Sequence, residues 1–147
     1  MPRSLDVAKF FLAQANEDAG DLVSNLKLQK LVYYAQGFHL AVFEESLFEE
    51  DIEAWTHGPV VPDVYHHFKH HGGGSIPIPT DFDLSVFSID QVELLNEVQQ
   101  TYGQYSAWRL REMTHEETPW KKNYRAGATN LEIPKAEMAD FFKGLLK

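Results

Sequence analysis

The stretch from Ser24 to Val42, SNLKLQKLVYYAQGFHLAV, limits the folds open to this chain more than any other. Wound as a helix, it carries one apolar line of Leu28, Leu31, Val32, Ala35, Phe38 and Val42, and a second of Leu26, Tyr33 and Leu40 almost opposite. A helix that is apolar on two sides has to be covered on two sides, so the pattern predicts a central helix with neighbours on both flanks. Gly37, a poor helix former beside the second line, leaves room for a close crossing. Lys27, Gln29, Lys30 and Tyr34 fall on the narrow polar borders, which marks them as candidates for surface contacts.

The rest of the chain supplies the neighbours. Ser4 can cap a first helix bearing Leu5, Ala8, Phe11, Leu12 and Ala15 and ending near Gly20. Pro62 can start a third that lasts until the glycines at 72 to 74. Ser88 and Gln91 make a capping box for a fourth, to about Tyr102. Ser106 caps AWRLREMTH, Thr118-Pro119 opens the short PWKKNYR, and a last helix after Pro134 presents Met138, Phe141, Phe142 and Leu145. Ile52, Ala54 and Thr56 alternate with Glu53, Trp55 and His57 before a Gly58-Pro59 turn, which predicts a short strand. Pro77 and Pro79 keep the segment after the glycines extended or irregular. The expected fold is mainly α: one compact domain spanning 1–147, of about six to seven helices around a central buried helix, with short strand or hairpin elements near 47–57 and 76–87.

Composition then removes whole classes of chemistry. The chain has no cysteine, which excludes thiol nucleophiles, disulfides and thiolate metal sites and fits a cytoplasmic location. The apolar patch near the N-terminus is cut by Lys9 and Gln14, too short for a signal segment or a membrane span. Thirteen Lys and Arg against 22 Asp and Glu give a net charge of −9, which argues against direct nucleic-acid binding. Twelve acids and a single base, Lys69, lie between Glu44 and Glu97. Such a middle suits steering towards a partner with a basic surface, or simply solubility.

Five of the seven histidines, His57, His66, His67, His70 and His71, invite a metal reading. On a helix from Pro62 to His71, Val61, Val64, Tyr65 and Phe68 form a core-facing stripe, and His66 and His70 point away from it with Asp63. Asp63, His66 and His70 could thus chelate a divalent ion, and with His115 they make a metal-dependent hydrolase the rival reading. An outward helix face lacks the dry, shaped cavity such catalysis needs, so no cofactor and no enzyme activity are expected. GGGSIP lacks the end of a phosphate loop, and HEETPW lacks the second histidine of a zinc-protease helix.

The order NLKLQKLVYYAQGFHLA, IEAWTHGPVVPDVYHHF, SAWRLREMTHEETPWKKNYR and IPKAEMADFF resembles the Panacea-domain family, which includes the SocA-like antitoxins and many phage-associated proteins. The resemblance implies a mainly helical domain that neutralises a co-encoded toxin by direct protein contact. In the SocA-like branch it also implies delivery of that toxin to a protease such as ClpXP. A phage-encoded interaction adaptor without a toxin is the other role the family suggests. The shared pattern places Lys27, Leu28, Gln29, Lys30 and Tyr34 on the central helix, Trp55, Gly58, Pro59, Val60 and Tyr65 around the turn, and His115, Pro119 and Trp120 in the late bend. The histidine run and the triple glycine lie outside that pattern. Trp55, directed outward beside a rigid Gly-Pro turn, suits an interface anchor, whereas Trp120 suits a core or hinge position.

Overall fold

Serine caps set the starts of three helices in the computed structural model, which describes residues 1–15 and 22–146. In chain order the elements are α1 (Ser4–Ala13), β1 (Val23–Ser24), α2 (Asn25–Phe43), β2 (Glu53–Trp55), β3 (Gly58–Val60), α3 (Pro62–Phe68), β4 (Ser75–Ile76), α4 (Ile89–Tyr102), α5 (Ala107–His115), α6 (Thr118–Asn123) and α7 (Lys135–Leu145). Ser24 Oγ accepts from the Lys27 amide at 3.3 Å, Ser106 Oγ accepts from the Arg109 amide at 3.0 Å, and Ser88 and Gln91 form a reciprocal box. Each satisfies amides that a helix start leaves without intrahelical acceptors.

Three boundaries depart from expectation. Ser4 is the first helical residue of α1 and not its cap; its amide donates to the Glu50 carboxylate at 3.2 Å, so a distant loop holds this helix end. The helix ends at Ala13, and the expected stop near Gly20 lies outside the described residues. α3 also stops early, at Phe68, and Lys69–His71 continues as a tighter 3₁₀ turn. That change of winding takes His70 off the regular one-turn spacing from His66.

The strands make two small antiparallel pairs. Val23 faces Ile76 and Ser24 faces Ser75. In the other pair Glu53 faces Val60, Ala54 faces Pro59 and Trp55 faces Gly58, so the turn is Thr56-His57 and the Gly58-Pro59 dipeptide is strand. The free edge of β2 is covered in turn: the Ala54 amide donates to the Leu131 carbonyl at 2.8 Å, and the Ile133 amide to the Ile52 carbonyl at 2.8 Å.

α2 occupies the middle, with α1, α4, α5 and α7 packed around it. Leu28, Leu31, Val32, Tyr33, Tyr34 and Ala35 are fully buried, whereas Val42, in the last turn, is 48% exposed and leaves the core. The Phe142 ring of α7 lies where a side chain on Gly37 would begin, and it also packs edge-on to Tyr33 (5.5 Å between centroids) and Phe38 (4.8 Å). Gly37→Ala is therefore expected to force that ring out of a close-packed site at about 1–3 kcal/mol, read as a lower urea midpoint. An unchanged midpoint would show that α7 yields without cost.

Candidate functional site

The polar residues of α2 face inward, contrary to the border reading of Gln29, Lys30 and Tyr34. Gln29 is buried, donating to Asn25 Oδ1 at 2.8 Å and accepting from the Val61 amide at 2.9 Å. Gln36, one helical stretch further on, does the same for a second loop, donating to the Phe48 carbonyl at 2.8 Å and accepting from the Leu47 amide at 2.7 Å. Replacing either glutamine by alanine leaves buried backbone groups unpaired, and each loss is expected to cost about 1–3 kcal/mol in denaturant unfolding. A loss near zero at either position would mean that water replaces the amide.

Lys30 is the deepest of these braces. Its Nζ donates to the Pro59 carbonyl at 3.0 Å with no side-chain surface exposed, and burial, helped by the nearby Arg111 charge, brings its pKa down to about 7. Gly58 makes this approach possible: its φ is +115°, and a Cβ there would sit 2.6 Å from Lys30 Cε. Tyr33 and Tyr34 both reach Glu117, donating to its two carboxylate oxygens at 3.0 and 2.7 Å. Burial pushes the Glu117 carboxyl up to about 7 even though both hydroxyls favour its charged form. Tyr34 also stacks on Tyr102, with centroids 3.9 Å apart.

The late bend braces the hairpin. His115 lies flat on Trp120 at 3.9 Å, Trp120 lies on Tyr124 at 4.7 Å, and the Trp120 indole donates to the Trp55 carbonyl at 2.7 Å. Burial, and then the charges of Arg111 and Lys30, hold the His115 pKa below its ordinary value. His115 and Trp120 thus brace β2.

What this scaffold presents is an open groove of about 970 Å³. Trp55, Val60 and Tyr65 come from the hairpin and α3, Trp108 from α5, and Tyr124 with residues 127–130 closes the far side. Trp55 packs edge-on to Tyr65 at 4.9 Å, its indole donates to Glu53 Oε1 at 2.9 Å, and it remains half-buried. Trp108 is 57% exposed. The walls suit apolar side chains of a ligand.

The family description Antitoxin SocA-like, Panacea domain matches residues 28–121. The chain belongs to this family. Antitoxin SocA of Caulobacter vibrioides (strain NA1000 / CB15N) is 34% identical to it over 147 residues, an overlap of 90% of this chain and 77% of that protein. No solved structure matches the chain. No helix among the described residues is long and apolar enough to cross a membrane.

Within this Panacea domain the family-pattern residues divide by depth. Lys30, Tyr34, Gly58, Pro59 and Val60 are buried; Tyr34, Gly58 and Pro59 act on the scaffold, while Lys30 and Val60 also line the groove from within. Lys27 is half-buried and its Nζ donates to the Gly103 carbonyl at 2.6 Å, tying α2 to the end of α4. Trp55 and Tyr65 reach the groove. Asp63, His66 and His70 are exposed, but His66 lies beside Trp55 at 6.5 Å while His70 packs at a tilt against His71 at 4.0 Å. Among the described residues no group of three or more His, Asp and Glu side chains is arranged to hold a metal ion. No motif in the sequence marks Trp108 or Tyr124; the available signal is a tryptophan on the face of α5 away from the buried Leu110 and Thr114.

Proposed function

We propose that this Panacea domain is an antitoxin that neutralises a co-encoded toxin by direct binding, with the groove between Trp55, Tyr65 and Trp108 as its docking surface. The observation that carries this reading is the open aromatic groove on a scaffold whose buried polar groups are committed to holding its walls. A surface prepared in this way loses little entropy on binding, and tryptophans beside it are the residue type that dominates interface energies. The name of the Caulobacter relative, an antitoxin, points the same way. Exposed Glu44, Glu45, Glu49 and Asp51 provide a field that steers a partner with basic patches.

The test is co-expression with the toxin gene beside this one. Wild-type protein is expected to restore growth. Trp108→Ala is expected to weaken toxin binding by about 2 kcal/mol, roughly thirtyfold, while its unfolding midpoint barely moves because the side chain is mostly in water. Full protection and unchanged affinity with Trp108→Ala would remove the groove from the mechanism. Toxin half-life in the same cells separates simple occlusion, which leaves it unchanged or longer, from delivery to a protease of the ClpXP type, which shortens it.

A further inference from the structure

The groove sits beside positive charge in a protein of net charge −9. Arg111 Nε donates to His57 Nδ1 at 3.0 Å, and its guanidinium lies over the Trp108 ring with Cζ 4.4 Å from the centroid. Both residues that Arg111 touches line the groove. Because His57 Nδ1 accepts this bond, the proton of its neutral ring is on Nε2, so the pair offers donors outward: the two terminal amino groups of Arg111 and one imidazole N–H. No carboxylate pairs with Arg111 among the described residues. Lys30 and His115 belong to the same neighbourhood, where burial first and then the Arg111 charge hold both below their ordinary values. Glu53, the single carboxylate lining the groove among the described residues, is bonded to the Trp55 indole.

We propose that the groove takes an acidic segment of the partner, in which an apolar side chain packs against Trp55 and Trp108 and an adjacent Asp or Glu pairs with Arg111 and His57. The stacked guanidinium is held in position by Trp108 and retains the fork of donors that fits a carboxylate in two bonds. A charge pair beside an apolar wall is partly shielded from water, where it counts for more than on open surface. The inference rests on the groove being the docking surface and adds what that surface selects. It also means that a toxin steered by the exposed carboxylates of this protein would have to carry charge of both signs.

Peptide display on the full-length protein tests it. Random peptides selected by the wild-type chain are expected to be enriched in Asp or Glu next to aromatic or aliphatic residues. A synthetic copy of a selected peptide is expected to lose about tenfold or more in affinity for Arg111→Glu, and Arg111→Lys, which keeps the charge but not the stacked fork, is expected to lose less than Arg111→Glu without regaining wild-type affinity. Selection of basic or uncharged peptides, selection of none, or equal binding by Arg111→Glu would each overturn the proposal. The unfolding midpoint of Arg111→Glu, expected to stay near that of the wild type, shows that the variant is folded. Co-expression separates the two readings: protection kept by Arg111→Glu but lost in Trp108→Ala leaves the groove standing and removes only its preference for acid.

Discussion

Alanine at position 58 is expected to cost about 3–5 kcal/mol, a large part of the 5–15 kcal/mol that holds a domain of this size together. Two effects add. The residue adopts φ +115°, a region that a side chain occupies only under strain, at about 1–3 kcal/mol. A Cβ there also meets Lys30 Cε at 2.6 Å and Thr114 Oγ1 at 2.9 Å, and neither neighbour gives way freely. Thr114 donates to the Arg111 carbonyl at 2.9 Å, and moving Lys30 takes its ammonium from the Pro59 carbonyl, leaving buried polar groups unpaired at about another 1–3 kcal/mol. Gly72→Ala is the control: φ is +59° and ψ −134°, also strained for a side chain, but nothing lies within 4 Å of the added carbon, so only the backbone term of about 1–3 kcal/mol applies. Urea midpoints compare the two. Equal losses at the two positions would show that Lys30 moves aside easily and that the brace is not rigid.

The second large effect is in pH. Glu117 titrates at about 7 in the folded protein against 4.5 ordinarily, so the folded state holds its proton more tightly, and the stability present below pH 4.5 is lost as the pH rises through 7. Lys30 titrates at about 7 against 10.5 ordinarily, so the unfolded chain holds its proton more tightly, and stability rises as the pH goes from about 7 towards 10.5. The two contributions together produce a minimum near pH 7. At about 1.4 kcal/mol per pKa unit, each arm spans a few kcal/mol. His39 and His115, both held low chiefly by burial, add an opposite slope below pH 6.5, so each arm is best read as a difference from a variant. Stability measured from pH 4.5 to 10 is expected to lose its acidic-side fall in Glu117→Gln and its alkaline-side rise in Lys30→Met. A difference between variant and parent that stays flat with pH would mean that the group is solvated and its burial relieved by local opening.

These two residues also show where sequence reasoning stops. The caps at Ser88 and Ser106 were legible because each bond closes within three residues, and the outward direction of His66 was legible because α3 is regular as far as Phe68. The two-sided helix was legible because hydropathy recurs with the helical period. Lys30 and Tyr34 defeat the same method: their partners, Pro59 and Glu117, are far off in the chain, and a polar residue with a distant partner has the same local signature as one in water. The hairpin turn shifted for a related reason. Gly58 looks like turn chemistry, yet it serves at the end of β3 facing Trp55, where its missing side chain admits Lys30. Of the groove, Trp55, Val60 and Tyr65 were within reach of the sequence, whereas Trp108 and the wall at 127–130 depend on how the helices are placed.

The seating of Phe142 against Gly37 bears on how the chain is made. The central helix is synthesised before α7, which brings the ring that closes one side of it, so α2 must wait with apolar surface uncovered until α7 is made. A nascent chain halted anywhere before α7 would expose Tyr33 and Phe38 to chaperones and proteases. The supply of finished protein is therefore sensitive to interrupted synthesis.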